Sequence, residues 1–330
     1  MKIRFQLLIL SLFILLQCLS AKPDPYIRIQ ETPEGEIKLQ VALRKLKHAE
    51  NEKASVIWLS GVAHIGAESY YKELQKHLDA QELVLFEGVG FFRDKESRKK
   101  GERGAGSFRP EMVDHSIQGD LAKALGLVFQ LSIIDYERPN FLNSDLSANE
   151  FMAYFEKGSE NSILSGDAKE DKEVTRFMAI MAGSSTATKI LQFVLKIFGR
   201  SPRFQGMARL VLIETLGTVG NDFSDIKGMP EQMKKLMHTL IQERNKVVLK
   251  DLRKTLRPEK APESISIFYG AAHMPHMESR ICKSLGYEPA GDTWLTCFSV
   301  IPSEQGLRKS DIALVRRMVA MQIKKYQDKK

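Results

Sequence analysis

Cysteine and tryptophan are the scarcest residues of this chain, with three and two copies among 330 residues. So few cysteines exclude a disulfide-built scaffold. Cys282 and Cys297 fall on an expected helix and the strand after it. They either form one disulfide or stay as two buried thiols, and their spacing makes no zinc site. The sequence also lacks a phosphate-binding loop, a Gly-x-Gly-x-x-Gly turn and a His-Glu-x-x-His helix, which removes the usual signs of nucleotide or zincin chemistry. Ser60 and Ser266 stand outside any Gly-x-Ser-x-Gly, so no serine nucleophile elbow is present. After residue 21 the nearest approach to a membrane-length apolar run is Met178 to Phe198. Lys189, Lys196 and the Gly183-Ser184-Ser185-Thr186 group mark that run as a core or interface helix instead.

The first 21 residues read as a secretory signal peptide. Lys2 and Arg4 precede an apolar stretch from Phe5 to Leu16, then Cys18 and small residues up to Ala21. Two processing routes stay open. Cleavage after Ala21 would release a soluble protein. Leu15-Leu16-Gln17-Cys18 instead resembles a loose lipobox, which would place a lipid on Cys18 and tether the chain to a membrane. Losing Lys2 and Arg4 lowers the formal net charge from +8 to +6. Part of that excess sits in Lys324, Lys325, Lys329 and Lys330. The run from Arg93 to Lys100 mixes charges and leads into a glycine-bearing stretch, as solvated loops do. An exported chain with this modest excess is not expected to bind nucleic acid.

With 43% hydrophobic residues the chain fills one large core or two modest ones. Residues 37–43 alternate with period two, and 56–60 form a continuous apolar run, as buried strands do. A helix over Ser69 to Leu78 leads to a strand at Leu83 to Gly88, which makes one βαβ unit. A long charged loop covers residues 90–110. A helix over Gln118 to Leu127 and a strand over Leu131 to Tyr136 follow. Residues 145–256 are mainly helical, with segments at Ala148–Lys157, Lys172–Met181, Thr188–Phe198, Met207–Leu216 and Glu231–Leu252. Strand signals return at 265–269 and 293–300, around a helix from Met277 to Leu285, and a helix over Ser310 to Lys324 closes the chain. The expected fold is α/β: a mixed central sheet from two βαβ-like halves, in a single domain of residues 22–330 with a helical insert at about 146–256.

Two strands end in the same pattern, Gly-x-x-His: Gly61-Val62-Ala63-His64 and Gly270-Ala271-Ala272-His273. Glycine there would let the chain turn sharply, and histidine is the commonest neutral ligand or proton carrier near pH 7. Ligands of open α/β sheets sit beyond the carboxyl ends of the strands. Glu87 ends a third apolar strand and can join the histidines as metal ligand or general base. On the helix after Glu231, Met233, Met237, Leu240 and Val248 mark an apolar stripe. Arg244 falls in its middle and Glu243 on its edge. A charge on a buried face is costly unless paired, so the two either form an internal salt bridge or enter the pocket, Arg244 to hold an oxyanion or orient a carboxylate. His276 either supports His273 or is exposed; His48, His77, His115 and His238 read as surface residues.

Together Gly61–His64, Phe86-Glu87-Gly88, Glu243-Arg244-Asn245 and Gly270–His273 resemble the TraB/GumN group. That group includes the Tiki proteins and is related to erythromycin esterases and ChaN-like proteins. Leu121-Ala122, Leu125-Gly126-Leu127 and Asn143-Ser144-Asp145-Leu146 extend the likeness over most of residues 54–300. It implies an α/β fold with a helical insert and a pocket lined by both motifs, the acid and the arginine. Tiki-like members imply a metal-dependent protease; esterase-like relatives imply a catalytic histidine. A Glu-x-Glu pair found in some relatives is absent because Val89 holds the second place, so a second carboxylate must come from Glu243 or Asp145.

Three functions are therefore expected in turn. The first is an exported hydrolase of peptides or small esters, in which His64, Glu87 and His273 hold a divalent ion (Mn, Co or Zn), Arg244 steadies the oxyanion and Asn245 orients the substrate. The second is a metal-free hydrolase with His64 or His273 as general base. The third is a non-enzymatic binding protein of the cell envelope, for haem, iron or a signalling partner.

Overall fold

The computed structural model describes residues 24–89, 117–156, 162–164, 167, 171–172, 174–175, 201–219, 231–257 and 261–327. The expected signal segment with Cys18, the expected loop of residues 90–110, His115, Lys329, Lys330 and most of the expected helices between Lys172 and Phe198 lie outside the described residues.

The strands are β1 (Ile27–Glu31), β2 (Ile37–His48), β3 (Val56–Val62), β4 (Ile65–Gly66), β5 (Leu83–Phe86), β6 (Val128–Phe129), β7 (Phe141–Asn143), β8 (Ser264–Gly270) and β9 (Tyr287–Val300). The helices are α1 (Glu68–Asp79), α2 (Ile117–Ala124), α3 (Gln130–Ile133), α4 (Ala148–Ala153), α5 (Pro202–Val219), α6 (Glu231–His238), α7 (Arg244–Thr255), α8 (Met274–Leu285) and α9 (Lys309–Gln327). The protein is α/β with a mixed sheet, as the sequence implies. β3, β8, β5 and β7 lie side by side in that order, all parallel. β9 runs antiparallel along one edge of the long β2, while β1 and then β3 share its other edge. A small separate ladder joins β4 to β6.

Both halves link parallel strands through a helix, β3–α1–β5 and β8–α8–β9. In neither are the linked strands neighbours. β8 inserts between β3 and β5, so a segment about 200 residues later separates the first unit's strands. This insertion brings the two Gly-x-x-His motifs onto adjacent strands, with Val62 in register with Gly270.

The central strands are buried on both faces, which is why they read as unbroken apolar runs. Along β5, Leu83 and Leu85 join one core and Val84 and Phe86 the other. The first core packs Val248, Leu249 and Leu252 of α7 and Met274, Met277 and Ile281 of α8 against Ile57, Ile265 and Ile267. The second packs Tyr70, Tyr71, Leu74 and Leu78 of α1 with Leu210 and Ile213 of α5 and Val315 and Val319 of α9. At the start of the sheet, Arg44 is buried and held by both oxygens of Asp292 and by Glu278, all at 2.8 Å, beneath the ring of Tyr26.

Two local expectations need correction, and one open alternative closes. Leu131 to Tyr136 is not a strand: Gln130–Ile133 forms a helical turn, closed by Ile134 N–H on Gln130 O at 3.0 Å, and the strand falls later, at β7. A short apolar run fits one helical turn as well as it fits a strand, so periodicity cannot separate them. The helix expected over Glu231 to Leu252 is interrupted by a wide π turn at Thr239–Glu243. Cys282 and Cys297 are free thiols; burial pushes them up to about 11 and about 12.

Candidate active site

The four parallel strands each deliver one polar residue just past their carboxyl ends: His64 after β3, His273 after β8, Glu87 after β5 and Asp145 after β7. Arg244 and Asn245 open α7, straight after the π turn, and reach the same edge. An interruption of this kind, common at functional sites, resets which side chains a helix turns inward.

Arg244 is the hinge of the charge network. Its Nη2 donates to Glu87 Oε1 and to Asp145 Oδ2, both at 2.6 Å, and its Nε donates to Asp145 Oδ1 at 3.1 Å. Asp145 also accepts the backbone N–H groups of Gly88 at 2.9 Å and Leu146 at 2.7 Å. Glu87 Oε2 accepts Gly270 N–H at 2.7 Å. Burial would raise the Glu87 carboxyl. The Arg244 charge, then the two histidines and the Gly270 N–H, outweigh burial and hold it well below the usual carboxylate range. Burial likewise opposes charge on Arg244, and Glu87 and Asp145 overcome it, raising the guanidinium above its ordinary value.

The histidines differ in exposure. His273 is 6% exposed. Burial first, then the Arg244 charge and the neighbouring histidines, push it down to about 4 despite Glu87, so it stays neutral at physiological pH. Its Nε2 lies 3.8 Å from Glu87 Oε1. His64 is exposed. Tyr70 and Tyr71 of α1 fix the peptide before it, the first accepting Ala63 N–H at 3.2 Å and the second donating to Ala63 O at 2.8 Å.

The glycines work by close approach rather than by turning, since neither Gly61 nor Gly270 has a positive φ. A Cβ on Gly61 would sit 3.0 Å from Val41 Cγ1 and 3.4 Å from Ala271 Cβ, so its absence lets β2 and the second motif close in. A Cβ on Gly270 would meet His64 Nε2 at 3.3 Å and Glu87 Oε2 at 3.4 Å. Both groups therefore face the same spot over Gly270.

Of the residues expected from sequence, Gly61, His64, Glu87, Arg244, Asn245, Gly270 and His273 come together. Glu243 does not: it pairs with Lys246 at 2.7 Å and takes Tyr154 Oη at 3.4 Å, and Asp145 is the second carboxylate beside Arg244. Asn245 is fully buried. It binds His273 and His276 rather than facing a substrate space. His276 thus supports Asn245, with Nδ1 3.0 Å from Asn245 Nδ2. His77 is not a plain surface residue: its ring meets Ser60 Oγ at 3.2 Å, and burial pushes it down to about 4. Sequence reasoning missed Gln130, whose Oε1 lies 2.9 Å from His64 Nδ1. Its one sequence signal is a polar residue directly before an apolar run.

The expected ion fits these residues poorly. Among the described residues no group of three or more His, Cys, Asp or Glu side chains is placed to hold a metal. Both Glu87 oxygens already accept N–H donors, and the Arg244 charge 2.6 Å away would repel a cation. No protein-family model, curated protein or solved structure matches the chain. What the fold and site define by themselves is an α/β protein with two histidines, two carboxylates and one arginine at the carboxyl edge of a parallel sheet.

Proposed function

We propose that the chain is an exported hydrolase that resembles the TraB/GumN group and works with a catalytic histidine, as the esterase-like relatives of that group imply. It cleaves an ester or peptide bond with His64 as general base, and it needs no metal. The observation that carries this reading is the set of acceptors around Gly270. His64 Nε2 and Glu87 Oε2 face one spot. The neutral His273 presents Nε2 to Glu87 Oε1 at 3.8 Å, two acceptors that a single donor would bridge. A water molecule is such a donor.

In this reading His64 Nε2 takes a proton from water as the water oxygen bonds to the carbonyl carbon. The proton then passes to the leaving alcohol or amine as the C–O or C–N bond breaks. Glu87 attracts the imidazolium formed in between, and Arg244 fixes Glu87 rather than holding an oxyanion, since its Nη2 and Nε are already engaged. With that cation committed to two carboxylates, the site favours an uncharged carbonyl substrate over a phosphate. The leader segment supports export, and acylation of Cys18 would tether the enzyme to a membrane.

The test uses 4-nitrophenyl acetate and a peptide mixture with the mature protein. Hydrolysis is expected to survive dialysis against EDTA and to fall about 100-fold or more in His64→Ala. Activity lost to EDTA and restored by Mn, Co or Zn would return the reading to a metal-assisted hydrolase. A Soret band with no hydrolysis would move it to haem binding.

A further inference from the structure

We infer that Gln130 is a positioning residue that makes His64 a base, by fixing which ring nitrogen carries the proton. The inference rests on the role proposed for His64, but its physical core is separable from that role. A neutral imidazole presents one donor and one acceptor nitrogen, and the partner of one decides the state of the other.

Gln130 is 5% exposed and grips His64 twice. Its backbone N–H donates to His64 O at 2.9 Å. Its side-chain Oε1 lies 2.9 Å from His64 Nδ1. The other end of the amide is committed as well, because Nε2 donates to Tyr136 Oη at 2.6 Å. With the NH2 group turned to Tyr136, only an acceptor is left for His64. The ring must then donate from Nδ1, so its lone pair sits on Nε2, the atom that faces the spot over Gly270. A carboxamide does this without adding a charge beside Glu87. His64 is exposed, and among the described residues Gln130 is the one side chain hydrogen-bonded to its ring, so the ring depends on Gln130 for both orientation and tautomer.

The second motif uses the same device. Asn245 Oδ1 lies 2.7 Å from His273 Nδ1, and its NH2 group is held by His273 O at 3.1 Å and by His276 Nδ1 at 3.0 Å. Two histidines that follow adjacent strands thus have Nδ1 tied to a buried carboxamide whose donor end is engaged by another group. One carboxamide comes from α3 and the other from α7, segments with no common pattern in the sequence. Each amide sets the same nitrogen of its histidine, so both lone pairs are directed toward Glu87.

The experiment reads the tautomer directly, by ¹⁵N NMR of the histidine rings in the full mature protein at neutral pH, with His64→Gln used to assign the His64 signal. Wild type is expected to carry the proton on Nδ1 and a bare Nε2. Gln130→Met, similar in size but without the amide, should shift His64 toward the Nε2–H form, and Gln130→Glu, which keeps an acceptor, should retain Nδ1–H. On 4-nitrophenyl acetate, Gln130→Met should lose about 100-fold in kcat with KM changed by less than about threefold, and Gln130→Glu should recover part of the loss. A wild-type His64 protonated on Nε2, or a Gln130→Met protein that keeps Nδ1–H, overturns the inference. A tautomer that shifts as expected while hydrolysis is unchanged upholds Gln130 as the positioning residue and overturns His64 as the base.

Discussion

Replacing Arg244 by Met tests the charge network most directly. The change keeps a long apolar side chain and deletes the guanidinium that bonds Glu87 and Asp145 at 2.6 Å each. Their side chains are 15% and 0% exposed, so solvent screens the pair little. Removing one partner of a buried pair costs about 3–5 kcal/mol, a large share of the roughly 5–15 kcal/mol that holds a domain folded. The loss should depend on pH. In wild type Glu87 is held below its ordinary range, so its contribution is present above the unfolded carboxyl value, about 4.3, and fades only as pH falls further. Without Arg244, burial dominates and raises the Glu87 carboxyl. The variant then regains stability on acidification, because a raised carboxyl favours the fold below its unfolded value and disfavours it as pH rises through the raised value. Urea unfolding followed by circular dichroism at pH 7.5 and pH 4.5 should show a wild-type advantage that is larger at pH 7.5. Adding Glu87→Gln to Arg244→Met should restore about 1–3 kcal/mol at pH 7.5, because one uncompensated charge is gone. A loss below about 1 kcal/mol, or one equal at both pH values, would refute the reasoning.

Gly270→Ala should fold with stability within about 1 kcal/mol of wild type, since the exposed His64 ring can yield a few tenths of an ångström. Its kcat on 4-nitrophenyl acetate should fall about 10- to 100-fold as the methyl crowds His64 Nε2 and Glu87 Oε2; unchanged turnover would mean that the spot over Gly270 is not where the reaction occurs. Cys282 and Cys297 should both label with a thiol reagent after denaturation without reductant, with Cys297 protected in the folded protein. Labelling that required a reductant would show that they pair.

The sequence by itself determined the parts. Two apolar runs ending in Gly-x-x-His, a strand ending in Glu87 and an arginine in an apolar stripe are local patterns, and local patterns report what each segment buries. The α/β class followed from the same periodicities. What they cannot report is adjacency. β8 lies between β3 and β5 because long-range strand pairing puts it there, and only that insertion sets His64 beside His273 with Glu87 next in line. Glu243 and Arg244 are neighbours in sequence, yet the π turn and helix geometry send Arg244 to Glu87 and Glu243 to Lys246 and Tyr154. The choice of Asp145 as second carboxylate, and of Gln130 as the partner of His64, depends on side chains from distant segments meeting at one edge. Hydrophobic patterning selects which face of an element is buried; which buried faces meet is decided by the packing of the whole sheet and its helices.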